Sequence, residues 1–293
     1  MRKLKQTTYL FQLLFIVMST CTVAFSQKLP KVQTASVKAP QAIKIDGKAT
    51  EWNGQFQAYN KNNYIYYTIS NDDKNVYLAA HMESGYGSQK IFRGGLTFTI
   101  VPASKKTDKL AITFPVITRK RFDDMEIGKT VSPVFTYKRL KGDTVANKVK
   151  IDELIASANN EMMTVNNQIH ITGISGINDP LISVNNKDDI KVGASFDNKM
   201  NYTYELAIPI KYIEAALGGG KSFKYNIKLN ADPVKLADAA KITQAAVQAR
   251  SVRLQTALEE PPKPANGGRI NPNNDDDFLF NTTDFSGEYT LAK

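Results

Sequence analysis

The stretch from Ile43 to Ile100 constrains this chain more than any other, because it sets several β segments in close succession. It opens with Ile45-Asp46-Gly47 and, after a short spacer, Glu51-Trp52, which carries the protein's one tryptophan. Two alternating segments, YIYYTIS and NVYLAAHM, then flank Asn71-Asp72-Asp73-Lys74. Turn-forming residues between two alternating runs predict a β-hairpin with a four-residue loop. A loop from Glu83 to Gly95 leads into a further strand with Leu96, Phe98 and Ile100 on one face.

That order resembles the β-sandwich of family 9 carbohydrate-binding modules and the related DOMON-like domains. There an I-D-G…E-W opening precedes a strand of the form N-D-D-x-x-L-Y-V, matched here by Asn71 to Leu78. The run Glu205 to Ile210, E-L-A-I-P-I, resembles the family's late strand, as does the closing Thr283-Asp284-Phe285…Tyr289-Thr290-Leu291. The resemblance implies an all-β fold, a jelly-roll-like β-sandwich of two antiparallel sheets with short helical insertions. Sugar-binding members clamp their ligand between two tryptophans, and this chain has only Trp52. The two-tryptophan clamp is therefore absent in its usual form.

The N-terminus reads as a signal for export. Arg2, Lys3 and Lys5 precede an apolar run from Leu10 to Met18, and Ala24-Phe25-Ser26 offers small residues where a signal peptidase cuts. Cleavage before Gln27 is expected, which places the protein in the periplasm or outside the cell with no membrane insertion. A lipidated Cys21 is the competing outcome, although Thr20 is bulkier than the residue usually found before such a cysteine. Cleavage at Gln27 removes the sole cysteine, and with it any disulfide, thiolate nucleophile or sulfur ligand. Residues 27–293 are ample for a core that needs no cross-links. Taking the leader's three basic residues from 38 leaves 35 Lys and Arg against 28 acids, a net charge of +7. The excess is dispersed, its densest point being Arg119-Lys120-Arg121, and no aromatic-interleaved basic stripe suited to nucleic acid occurs.

The domain plan is a signal peptide at 1–26, a loose lead-in at 27–42, and one sandwich domain at 43–293 with a helix and loop inserted at 232–277. Beyond Ile100, Leu110 to Val116 alternates, with Pro115 suggesting an edge or bulge. Residues 120–148 are polar, with room for a short strand at Val134 to Tyr137. Ile151, Leu154, Ile155 and Ala158 predict a helix over 151–164. Strands are expected at Gln168–Thr172, Leu181–Val184, Ile190–Phe196, Tyr202–Ile208 and Phe223–Asn230, with a short helix ended by Gly218-Gly219-Gly220. Val234 to Leu258 has helix-forming composition and no continuous apolar face. Pro261-Pro262 ends it, and a loop follows.

Little in the sequence supports catalysis. His81 and His170 stand in strands, with no H-E-x-x-H, no Gly-x-Ser-x-Gly elbow and no phosphate-binding glycine loop. Haem ligation would need axial Met or His, and the adjacent His81 and Met82 point to opposite faces. No cofactor is expected. Calcium is the one metal for which there are oxygen-rich stretches, Asn71-Asp72-Asp73 and Asn273 to Asp277, both also ordinary turn or loop compositions. Trp52 suits either a sugar platform or the core, and the E-W motif favours the core. Tyr64, Tyr66 and Tyr67 lie in one strand and divide between its faces.

Ligand-binding candidates are Tyr86, Gln89, Phe92 and Arg93, because aromatic rings beside hydrogen-bond donors in a loop suit a glycan. Two readings stand at this point. One is an exported non-catalytic binding protein for a glycan or glycan-derived ligand, with carbohydrate as its partner. The other is a structural or assembly protein of the cell envelope that keeps the fold without a sugar site.

Overall fold

The computed structural model describes residues 28–83, 86–102, 108–116, 144–233 and 281–293, together with positions 134, 137, 141, 142, 244, 278 and 279. In chain order the strands are β1 (Ala58–Asn60), β2 (Ile65–Asn71), β3 (Asn75–Met82), β4 (Leu96–Val101), β5 (Leu110–Phe114), β6 (Gln168–Thr172), β7 (Leu181–Ser183), β8 (Lys191–Phe196), β9 (Tyr202–Pro209), β10 (Ser222–Leu229) and β11 (Thr283–Thr290). They form an all-β sandwich. One sheet has the order β1-β2-β3-β9-β8 and the other β11-β10-β4-β5-β6-β7, with every pairing antiparallel. Three helices are described: α1 (Tyr86–Gly94), α2 (Val145–Val165) and α3 (Glu214–Leu217).

Alternation along the strands builds the core. Tyr67, Leu78 and Tyr204 point inward from one sheet, and Phe98, Ile112 and Tyr225 from the other, into one continuous buried cluster. Near its middle the hydroxyls of Tyr67 and Tyr225 meet at 3.0 Å, and the Gln33 amide donates to Tyr67 at 3.0 Å. Burial raises the pKa of both phenols, so each remains a neutral hydrogen-bonding group. A polar pair in the core is tolerable only because its partners are supplied on the spot.

The lead-in is an edge seal rather than a loose segment. Gln33 is buried, and its side-chain amide pairs with the backbone of Ile69 as a neighbouring strand would: Nε2 donates to Ile69 O at 2.8 Å and Oε1 accepts from Ile69 N at 2.7 Å. A parallel bridge between Lys38 and Asn71 continues the pairing. β1 pairs only with residues 65–67, so this extended segment covers the remainder of the β2 edge. An uncovered edge would leave unpaired N–H and C=O groups open to other chains.

Several local expectations need correction. Ile43 to Ile45 is irregular and lies on the outer face of the five-stranded sheet, so the first strand is β1. The hairpin turn is tighter than predicted, and Asp72 Oδ1 organises it by accepting from the Lys74 and Asn75 amides, each at 2.7 Å. Val134 and Tyr137 are helical rather than extended. Pro115 follows the interior strand β5 rather than marking an edge. Helix α2 begins six residues before the predicted start, because Ile151, Ile155, Ala158 and Met162 bury one stripe while its first turns are solvated. The loop expected at 83–95 contains α1.

The insertion leaves and rejoins the sheet at one place. β10 and β11 pair with Leu229 opposite Thr283, and the Asp232 amide donates to Leu279 O at 3.0 Å. Apart from position 244, which is helical, the helix predicted over 234–258 lies outside the described residues, as do the loop to Asp277, the signal peptide with Cys21 and the Arg119 cluster. Among the described residues no helix is long and apolar enough to cross a membrane.

Candidate functional site

The outer face of the five-stranded sheet is organised in cross-strand rows. Register places Tyr66, His81, Thr203 and Ser195 in one row across β2, β3, β9 and β8. The next row is Thr68, Ala79, Glu205 and Gly193, and the third is Ser70, Tyr77, Ala207 and Lys191. Side chains of one row share a face and stand near enough to act together.

The second and third rows carry a loop. Small residues at Ala79, Gly193 and Ala207 make room for residues 43–52 to lie flat on the sheet. A Cβ at Gly193 would stand 2.8 Å from both Gly47 N and Ile45 O. Gly47 itself has φ 79°, and a Cβ there would stand 2.4 Å from the Ala194 carbonyl carbon. Neither position admits a side chain without moving backbone. A 3-10 turn, Thr50–Trp52, then drops the indole against Tyr77, Ala79 and Ala207. Trp52 is only 5% exposed, so it is a core residue, but of a second small core outside the sandwich and not between the sheets.

Glu205 fixes this loop from below. Its Oε2 accepts from Gly47 N at 2.7 Å and Asp46 N at 3.1 Å. The side chain is wholly buried, and desolvation pushes its pKa up to about 7 against the lowering effect of these amides. The I-D-G motif and the Glu205 strand are thus two halves of one contact. Asp46 also serves the turn, accepting from Lys48 N at 3.0 Å.

The first row is left open beside the loop and forms the floor of a cleft of about 740 Å³. One wall is the loop from Gly47 to Gly54; Asn159 of α2 and Asp197 also line the cleft. Phe56 stacks on His81, ring centres 5.6 Å apart and planes inclined by 17°. Tyr66 lies 6.2 Å from Phe56 and is itself stacked on Tyr59 at 4.3 Å. Polar atoms interleave: His81 Nδ1 is 3.0 Å from Thr203 Oγ1, and Ser195 Oγ donates to Gly47 O at 2.8 Å. Burial holds His81 below the usual imidazole pKa, while Asp197 and Glu83 pull the other way. The cleft therefore offers flat apolar faces beside hydrogen-bonding groups, a combination suited to a ligand with both C–H faces and hydroxyls.

The residues singled out from the sequence do not meet in such a cleft. Tyr86 is the first residue of α1, and Gln89 is half-buried on the same helix. Phe92 points into the core, 3% exposed, with its ring centre 5.5 Å from that of Phe196, so it is no surface platform. Arg93 Nε pairs with the buried Asp232 at 2.6 Å. The Asn71-Asp72-Asp73 oxygens serve the fold, with Asp72 Oδ2 accepting from the Tyr77 hydroxyl at 2.7 Å and Asp73 pairing with Lys38. Asn273 to Asp277 lies outside the described residues. Among the described residues no group of three or more His, Asp or Glu side chains could hold a metal. Met82 is in the core and His81 on the outer face.

Phe56, Tyr66, His81 and Thr203 are the residues sequence reasoning missed. The signal available was alternation: with Tyr67 and Met82 assigned inward, Tyr66 and His81 must share the outer face. Compared with protein-family models, with curated proteins and with solved structures, the chain matches none.

Proposed function

We propose that this is an exported, non-catalytic carbohydrate-binding protein that takes its ligand on the outer face of the five-stranded sheet. The observation that carries this reading is the Phe56–His81 stack beside Tyr66 and Thr203 on the wall and floor of one cleft. A sugar ring presents an apolar C–H face to an aromatic plane and its hydroxyls to surrounding donors and acceptors. Phe56 supplies the plane; Thr203, Asn159 and the loop backbone supply polar partners. The first-row residues come from four paired strands, a rigid base that costs little ordering on binding.

Calorimetry of the purified protein against a panel of neutral, acidic and amino-sugar oligomers tests the reading. Phe56→Ala should weaken binding about tenfold, in keeping with the loss of a stacking partner in a small site. Its melting temperature should stay close to the parent's. Absence of binding to every oligomer at millimolar concentration would move the assignment to a structural or assembly role in the cell envelope. The burial of Trp52, which removes the lone tryptophan from any sugar contact, supports that second reading.

A further inference from the structure

The charges around the cleft narrow the carbohydrate reading to one class of sugar, an assignment that rests on that reading. Two carboxylates, Glu83 and Asp197, and one ammonium, Lys48, line it. Lys48 Nζ lies 3.8 Å from Asp46 Oδ2, so its charge is already opposed. Among the described residues no Lys or Arg lies within ion-pair distance of Glu83 or Asp197. Asp197 is locked in place by the Lys199 and Asn201 amides, which donate to Oδ1 at 2.8 and 2.9 Å. These neutral donors orient the carboxylate but leave its charge uncompensated.

Glu83 follows β3 two residues after His81, and its charge reaches both His81 and Tyr59. His81 is held below the usual imidazole range by burial, so near neutral pH its ring contributes an aromatic face and no positive charge. The chain has a formal net charge of +10, yet this cleft is a negative spot on it.

Three ligand chemistries can be weighed against that arrangement. An acidic sugar would be repelled by two carboxylates. A neutral one can donate its hydroxyls to the carboxylates but leaves their charge unopposed. A primary ammonium is drawn both by the carboxylates and by the faces of Phe56 and Tyr66. We propose that the cleft binds a cationic amino sugar, with its free amine toward Glu83 and Asp197 and its ring against Phe56.

The test is calorimetry on the purified protein, slightly below neutral pH so that glucosamine amines are protonated, with a glucosamine oligomer, the N-acetylglucosamine oligomer of equal length, and a glucose oligomer. The glucosamine oligomer should bind about tenfold more tightly than the other two and lose affinity as salt is raised. Glu83→Gln, at an exposed position, should weaken glucosamine binding about fivefold and leave any neutral binding unchanged. Lys224→Gln, on the other sheet, should change nothing, and thermal melts should show all three proteins folded. Equal affinity for the three oligomers, or an amine preference that survives Glu83→Gln, would overturn the amino-sugar assignment while leaving carbohydrate binding intact. Failure of all three oligomers to bind would overturn this assignment together with the carbohydrate reading beneath it.

Discussion

Glu205 holds Gly47 across 158 positions of sequence, its carboxylate accepting the glycine amide at 2.7 Å beneath a loop that walls the cleft. Oε2 takes two amides, whereas Oε1 has no partner among the described residues. Burial with incomplete solvation is what raises the proton affinity of this group.

That raised affinity makes stability depend on pH, with a definite sign. The folded state keeps the Glu205 proton up to about 7, whereas the unfolded chain releases it near the ordinary value of 4.5. This group's contribution is therefore most favourable below the lower value and declines as pH rises toward the upper one. The melting temperature of the parent, measured against Glu205→Gln, should fall across that interval and level off above it. A difference curve that is flat, or that rises with pH, would contradict the assignment. Glu205→Ala should cost about 2 kcal/mol by leaving the Asp46 and Gly47 amides without an acceptor.

Trp52 gives a second prediction. Its indole is buried against Tyr77, Ala79 and Ala207, so Trp52→Ala should cost about 3 kcal/mol in urea unfolding. The Nε1 donor has no partner among the described residues, so Trp52→Phe should be milder, at about 1 kcal/mol. Emission from the folded protein should be blue-shifted and resist iodide. Ready quenching would place the ring at the surface.

The Tyr67–Tyr225 pair couples the two sheets, and a double-mutant cycle measures that coupling. Tyr67→Phe removes the acceptor of Gln33 N and one partner of Tyr225, and should cost about 2 kcal/mol. Tyr225→Phe should cost about 1 kcal/mol. The double variant should fall short of the sum by about 1 kcal/mol, whereas strict additivity would mean that the hydroxyls do not interact.

The insertion can be tested by removal. Its stems are pinned independently of its interior, by the Arg93–Asp232 pair, by the Asp232 to Leu279 hydrogen bond and by Lys90 Nζ lying 3.9 Å from the Phe278 ring centre. Replacing residues 234–275 with a short Gly/Ser linker should leave the melting temperature within a few degrees, since closure entropy changes by only about 0.6 kcal/mol per doubling of loop length. Loss of cooperative unfolding would show the insertion to be part of the core.

How far the sequence could be read depended on whether a residue's environment was local. β10 was legible because Phe223, Tyr225, Ile227 and Leu229 alternate with polar neighbours, and one face of a sheet imposes that pattern. Helix α1 was not, because Gly87 and Ser88 argue against a helix; it is held by Ile91 and Phe92 docking into a core assembled from distant strands. The cleft was hidden for the same reason. Tyr66 and His81 read as ordinary strand residues, and only the register of four strands sets them beside Thr203 and Ser195. The I-D-G motif was visible, but its anchor at Glu205 was not, since nothing in the spacing joins them.

Asn71 has a consequence for the order in which the molecule is completed. Its Nδ2 donates to Ala292 O at 3.2 Å, its Oδ1 accepts from Ala292 N at 2.7 Å, and the Tyr289 hydroxyl lies 2.9 Å from both Asn71 Oδ1 and Val37 O. An early segment, the first hairpin and the last strand are thus tied in one knot of hydrogen bonds. A chain made in order from its N-terminus cannot close that knot until the residues around Ala292 are free. Until then β10 lacks β11 and presents a long unpaired edge. Protection during emergence is therefore needed longest at the edge that β11 will cover, a vulnerability set by topology and by no single weak contact.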